Sequence, residues 1–253
     1  MESNATDIKS RKKRWYKPLL KLLILSTITF FVLTILLTII LAFVNPNLSM
    51  LMVIKRHLSE NQGGSNRIRK SWVNIDDISP QMVLAVCAAE DSKFMEHNGF
   101  DWEAIQKAMN NNKRGKKLRG ASTISQQTAK NVFLWPKRSW LRKGFETYFT
   151  FLIETFWSKK RIMEVYLNVA EFGRGIYGVE KAAQVYYNKS ASKLNRNEAA
   201  MLATVLPFPA KRNPSKPSNY MVRYQNTILR NMYNMGKVNL DSPTPENKKT
   251  KRR

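Results

Sequence analysis

A mainly α-helical fold is what this sequence predicts, and three observations predict it. Apolar residues recur at helical spacing in one segment after another, as Met82, Val83 and Val86 do, the period of a buried helix face. Helix-start signatures precede such segments: Ser79-Pro80, and Asn195 three residues before Glu198, the pattern of a capping box. No stretch alternates β-branched and polar residues over the length of a strand, so any sheet is minor.

The first element is a membrane span. Leu22 to Val44 is 23 residues without a charge. At about 1.5 Å per residue such a helix crosses a hydrocarbon core of about 30 Å. Ser26, Thr27, Thr29, Thr34 and Thr38 lie inside it, and their hydroxyls can bond helix carbonyls. A cleaved signal peptide would carry a shorter apolar region, about 7–15 residues, ending in small residues. Here Asn45-Pro46 follows, which favours an uncleaved anchor. Lys9, Arg11, Lys12, Lys13, Arg14, Lys17 and Lys21 precede the span, and only Lys55 and Arg56 follow it closely. The positive-inside rule then puts the N-terminus in the cytoplasm and the rest of the chain outside.

The later helices follow in order. Ser79-Pro80 opens one, with proline where its missing N–H costs nothing. Another starts near Asp101, and a third follows Ser122 with Ile124, Thr128 and Val132 on one stripe. Ser139 to Trp157 is long and apolar, and its Tyr148, Phe149, Phe151, Leu152 and Phe156 are expected in the core. Lys160 to Val169 is next, then Ala199 to Val205, stopped by Pro207. The last runs from Tyr220 to Met235 and ends at Gly236. The run Val132-Phe133-Leu134-Trp135-Pro136 fits a membrane interface and a packed helix end equally well. The domain reading is 1–21 cytoplasmic basic segment, 22–44 transmembrane helix, 45–71 linker and membrane-proximal segment, 72–237 catalytic domain, 238–253 disordered basic tail.

Charge narrows the function. Lys and Arg number 43 against 18 Asp and Glu, a net +25. Of this, +5 precedes the span and +4 lies in Ser242–Arg253, leaving +16 between. A partner with anionic character is implied. No nucleic-acid recognition motif occurs, and the outward topology speaks against nucleic acid. A single cysteine, Cys87, excludes an internal disulfide and a Cys-rich zinc site, and its neighbours Val86 and Ala88 mark it as a small core residue. Two histidines leave little for a multi-His metal centre.

Two stretches carry candidate chemistry. In the first, Glu90 closes the apolar run Val86-Cys87-Ala88-Ala89 and is followed by Asp91, Phe94 and His97. Partial burial there would raise its pKa and make it a better base; an ordinary helix-terminal acid reads the same way on its own. The second is Gly120-Ala121-Ser122-Thr123-Ile124-Ser125-Gln126-Gln127-Thr128-Ala129-Lys130-Asn131, after the basic run Lys113, Arg114, Lys116, Lys117 and Arg119. A Gly-Ala-Ser-Thr helix entry offers N–H groups and a positive dipole end to an anion, although a capped helix beside a solvated basic loop has the same sequence. Gln126 and Lys130 share a face, and Arg138 lies just beyond.

In their order, E-D-x-x-F-x-x-H-x-G, G-x-S-T-I-x-Q-Q-x-x-K-N, Arg142-Lys143-x-x-Glu146 and Glu164-Val165-Tyr166-Leu167-Asn168 with its following glycine loop resemble the peptidoglycan glycosyltransferases, glycosyltransferase family 51. The resemblance spans Trp72 to Pro214. It implies a lysozyme-like helical domain with a small jaw lobe at the membrane, behind one N-terminal transmembrane helix. By the same resemblance, Glu90 is the general base and Glu146 a second catalytic glutamate near the donor pyrophosphate. Lys130 and Arg138 hold that pyrophosphate, with Arg142 and Lys143 beside them. Ser122, Thr123, Gln126, Gln127 and Asn131 line the cleft. Asp91, Phe94, His97, Gly120 and Asn168 form the motif framework. No cofactor is obligatory in this reading; a divalent cation, magnesium or manganese, at Glu146 stays open. The implied partners are lipid II, the growing glycan strand, the membrane, and cell-wall synthesis and division proteins. The implied location is the bacterial inner membrane, single-pass, with the catalytic domain periplasmic.

Departures and rivals bear on this reading. Ala121 stands for a more common glycine, and Phe145 for a lysine often found before the second glutamate. Arg142, four residues before Glu146, could simply pair with it. A peptidoglycan hydrolase of the same fold would use its glutamate as an acid and would not need the Lys130 and Arg138 cations. A membrane-anchored polyanion binder would need no glutamate at all. Ser190-x-x-Lys193 matches a penicillin-binding motif, but no Lys-Thr-Gly follows.

Overall fold

The computed structural model describes residues 3–60, 68–113 and 121–241. Gly120, the basic run 114–119 and the tail 242–253 lie outside the described residues. The chain divides into two units, Met1–Val44 and Asn45–Arg253.

The first unit is α1 (Ser3–Phe43). Within it, Tyr16–Phe43 is long and apolar enough to cross a membrane. Its hydroxyls bond back along the helix: Ser26 and Thr27 donate to the Leu23 carbonyl at 2.9 and 2.8 Å, and Thr38 donates to that of Thr34 at 2.8 Å. Those bonds satisfy the hydroxyl protons along the helix itself.

The second unit is helical, with one small sheet. Its helices are α2 (Met50–Glu60), α3 (Pro80–Glu90), α4 (Trp102–Lys113), α5 (Ile124–Phe133), α6 (Trp140–Phe156), α7 (Lys159–Val169), α8 (Val179–Tyr187), α9 (Arg196–Ala203) and α10 (Asn219–Met235). The strands β1 (Arg69–Lys70), β2 (Glu171–Gly173) and β3 (Ile176–Tyr177) lie in the order β1-β3-β2, β1 parallel and β2 antiparallel to β3. Segment 45–71 is therefore more than a linker, since it holds α2 and β1.

α3 is the central helix. Ser79 caps it, accepting from the Gln81 N–H at 3.3 Å, with Pro80 in the first turn. Met82 through Ala88 are all buried, so the helix is apolar around its whole circumference and must sit inside other elements. α9 and α10 supply that cover. α10 also closes the far end: Asn231 Nδ2 donates to the Ala88 carbonyl at 3.2 Å and the Tyr224 hydroxyl to that of Ala89 at 3.3 Å. Carbonyls of a last turn have no partner within the helix, so these bonds hold the end at which Glu90 sits.

α5 packs on α6, α7 and α2. Thr123 and Gln126 cap its start reciprocally. At its far end, Val132 and Leu134 of the apolar run Val132–Pro136 are buried, and Phe133 stacks on Phe149 with ring centres 4.4 Å apart. α6 is less buried than expected. Phe149 and Leu152 are in the core, but Phe151 is 63% and Phe156 40% exposed. Phe151 falls on the face of α6 opposite Phe149, and Phe156 is the last residue of the helix.

Asn168 ties two distant segments together. Its amide donates to the carbonyls of Val73 and Glu164, each at 2.8 Å, and its oxygen accepts the Val73 N–H at 2.9 Å. Gly178 crosses behind it with φ +83°, and a Cβ there would lie 3.0 Å from the Asn168 carbonyl oxygen, which only glycine avoids. Asn168→Ala removes the side-chain partner of the Val73 N–H and carbonyl and a second bond to the Glu164 carbonyl, all in a part-buried setting. The expected loss is roughly 2–4 kcal/mol, read as a lower denaturant midpoint at unchanged slope.

Candidate active site

The site forms where the end of α3 meets the start of α5. Asp91 makes the joint. It is buried and accepts from His97 Nε2 at 3.0 Å and from the Ile124 backbone N–H at 3.0 Å. The second motif is locked to the first again through Thr123, whose hydroxyl donates to the Gly99 carbonyl at 2.7 Å. Phe94 is buried under the Lys159 ammonium, 4.7 Å from the ring centre. Lys159 itself donates to the His97 carbonyl at 2.6 Å and to Glu154 at 2.8 Å. These groups make a rigid frame of charge-assisted bonds.

Held by this frame, Glu90 points to α5. Gln127 Nε2 donates to Glu90 Oε2 at 2.7 Å, and the Tyr166 hydroxyl donates to Gln127 Oε1 at 3.2 Å. Burial pushes the Glu90 carboxyl above the usual range; the Gln127 bond and the nearby charges of Lys130 and Arg212 oppose it. A carboxylate so placed is a stronger base than one in water.

Next to Gln127 opens a cleft of about 390 Å³ lined with cations: Lys55, Lys130, Arg138, Arg142 and Lys143. Ser122, Gln126, Gln127 and Glu146 are also on its wall. The Lys130 ammonium makes no hydrogen bond among the described residues. Burial lowers its pKa, while Glu146 and Glu90 act to raise it. Glu146 is buried, and Arg142 pairs with one carboxylate oxygen at 2.9 Å while Lys143 binds the other. The simple Arg142–Glu146 pair is thus present, but as part of a cleft wall.

Two expected cleft residues are placed elsewhere. Thr123 and Asn131 are buried and off the cleft wall. Thr123 spends its side chain on the cap and on Gly99, and Asn131 is on a buried face of α5. Gly120 is outside the described residues. Glu146 makes a poor divalent-cation ligand in this arrangement, because each of its oxygens already meets a cation. Among the described residues no three His, Cys, Asp or Glu side chains gather as metal ligands do.

The structure adds residues that sequence reasoning passed over. Lys55 enters the cleft from α2 and also pairs with Glu171. Arg212 lies over the rings of Phe208, Tyr220 and Tyr224 at 5.0–5.8 Å and faces Glu90. Lys55 sits between Ile54 and Arg56, and Arg212 between Lys211 and Asn213, a local pattern that marks neither as a site residue. Tyr166 stood within a motif already noted, but its contact with Gln127 spans 39 positions.

A carboxylate held at a helix end beside a cation-lined cleft is the arrangement of an enzyme site. The chain belongs to the transglycosylase family, whose sequence model matches residues 56–233, and it is a glycosyltransferase with that family's lysozyme-like helical domain. It is 52% identical over 205 residues to a biosynthetic peptidoglycan transglycosylase of Bacteroides thetaiotaomicron, covering 81% of this chain and 83% of that one. A protein of the same description from Bdellovibrio bacteriovorus is 50% identical over 218 residues, 86% of this chain and 87% of that one. One from Escherichia coli (strain K12 / DH10B) is 56% identical over 188 residues, 73% and 78% of the two chains.

Proposed function

We propose that the protein polymerises peptidoglycan glycan strands from lipid II, acting from the outer face of the bacterial inner membrane. The sugar to be transferred is α-linked to a polyprenyl pyrophosphate, and the product is β-1,4-linked. One inverting displacement accomplishes this, with no covalent enzyme intermediate. Glu90 takes the proton from the acceptor 4-hydroxyl as that oxygen attacks the anomeric carbon. The C1–O bond to pyrophosphate breaks, and the electrons leave on an already anionic group. That group needs cations rather than an acid, and Lys130 and Arg138 supply them. Arg142 and Lys143, neutralised in part by Glu146, complete the wall, with Lys55 opposite. The lysine absent at Phe145 is made good by these neighbours.

The observation that carries this reading is a half-buried carboxylate one hydrogen bond from a cleft that holds five cations. A hydrolase would also welcome a glutamate with a raised pKa, but its neutral glycosidic substrate gives those cations nothing to bind. The membrane helix keeps enzyme and lipid-linked substrate in two dimensions, which raises their effective concentration. The cytoplasmic N-terminus and the periplasmic domain follow from the charge asymmetry around the span.

Detergent-solubilised full-length protein given lipid II should yield glycan polymer, separable by gel electrophoresis and digestible by muramidase. Soluble muropeptides released from purified cell wall, with no polymer from lipid II, would establish the hydrolase instead. The pH dependence is a further expected outcome. Glu90 works as a base only when ionised and burial raises its pKa. Activity should therefore fall on the acid side at a higher pH than a solvent-exposed glutamate would give, about 4.3, as read from initial rates across pH.

A further inference from the structure

We propose that Tyr166 is a positioning residue that sets the basicity of Glu90 through Gln127, by fixing the Gln127 amide so that its NH2 and not its oxygen meets the carboxylate. The inference rests on the reading of Glu90 as the base.

A glutamine side chain is ambivalent: its oxygen accepts and its nitrogen donates. Next to an ionised carboxylate only the NH2 is favourable. Next to a protonated one, the amide gains by turning over, because its oxygen then accepts the carboxylic proton. An amide able to turn would stabilise both states of Glu90 and leave its pKa high. Tyr166 removes that freedom. Its side chain is 1% exposed on α7, and its hydroxyl donates to Gln127 Oε1. Turning the amide would set its NH2 against that hydroxyl; the phenol oxygen can accept from it, but the phenol proton would lose its acceptor beside a buried ring, which costs free energy. Gln127 is therefore held as a donor to Glu90, which favours the charged form. Burial with Glu90 and Asp91 close by pushes the Tyr166 phenol well above its usual range, so it remains a proton donor.

The other groups facing Glu90 are unchanged by this device. Lys130 on α5 and Arg212 beyond α9 favour its charge, and the adjacent Asp91 opposes it. Tyr224 on α10 lies near enough to feel the Glu90 charge, which with burial moves its phenol up to about 12, so it too stays neutral.

The test is the pH profile of kcat/KM for lipid II polymerisation by the full-length protein in detergent. Tyr166→Phe keeps the ring and removes the hydroxyl. Its acid limb should move up by about one pH unit, the scale of one hydrogen bond, so that the loss of rate is greatest at acid pH. Gln127→Ala should move the limb the same way, and the double variant no further than Gln127→Ala alone. Circular dichroism melts of each variant accompany the profiles. An acid limb unmoved in Tyr166→Phe, with the rate lowered equally at all pH values or only the melting temperature reduced, would overturn the proposal. So would shifts that add in the double variant, because Tyr166 would then act on Glu90 directly. Failure of the underlying reading looks different: Glu90→Gln would then polymerise lipid II whatever Tyr166 does.

Discussion

Glu90→Gln should abolish polymer formation from lipid II while the helical circular dichroism stays that of the parent. The acceptor hydroxyl is a weak nucleophile, and removing its base costs on the order of 10²–10⁴ in rate. The fold should not suffer. A glutamine at 90 keeps an oxygen to accept from Gln127, the Asp91 joint is untouched, and α10 still closes the end of α3. Stability should even improve at neutral pH. The folded-state pKa of Glu90 lies above its unfolded value, so the folded state binds more protons in the interval between them and stability drops as pH rises through it. Above that interval the buried charge is a standing cost, which glutamine removes. The variant should therefore melt at the same temperature as the parent or higher at pH 7, with the difference fading below about pH 4. Near-parental polymerisation by this variant would sink the mechanism.

Lys130→Ala should be the next most damaging change, lowering kcat on the order of 10²–10³-fold, the usual scale for losing one preorganised electrostatic contact to the leaving charge. Lys130 is half-buried and its ammonium makes no hydrogen bond among the described residues, so its desolvation is already met before substrate arrives. A cation in that state binds an anion more strongly than one in water. Lys117→Ala, in the basic run before the motif helix, should cost only a few-fold. Equal effects of the two substitutions would mean that the positive charge acts as a diffuse field. The pH behaviour separates the roles further. Burial lowers the Lys130 pKa, so the ammonium is lost on the alkaline side earlier than for an ordinary lysine. Lys130→Arg, which keeps its charge at any working pH, should extend activity to higher pH even where its rate is reduced.

Much of the site was legible because it is local. The Ser79-Pro80 start and the apolar run to Ala89 place Glu90 at a helix end, and the Thr123–Gln126 capping box sets the phase of α5 so that Gln126, Gln127 and Lys130 reach the cleft. Helix capping and 3.6-residue periodicity act within a few residues, so sequence spacing carries them. Thr123 and Asn131 misled for a related reason. A polar residue next to a cleft-lining one can face the cleft or the frame, and only the packing of α5 on α6 and α7 assigns the side. The exposed Phe151 and Phe156 show the same limit, since an aromatic on a long helix is buried only where another element covers it. α8 escaped sequence reading because Gly178 starts it with no capping side-chain bond; α2 does carry a cap, Ser49 accepting from the Met52 N–H at 3.3 Å, but a lone serine without a proline or a capping box is a weak start signal.

By itself the sequence determined a membrane-anchored helical chain, outward topology as an expectation, and a glutamate near a cationic helix start. Each depends on composition or on spacing within one element. Tertiary structure alone decided that Tyr166 meets Gln127, that Lys55 and Arg212 turn toward the site, and that Glu146 is held between Arg142 and Lys143 on a cleft wall. The physical reason is distance along the chain. Burial, pKa and the direction of a hydrogen bond depend on atoms that folding brings together from residues far apart in sequence, and no local period encodes them.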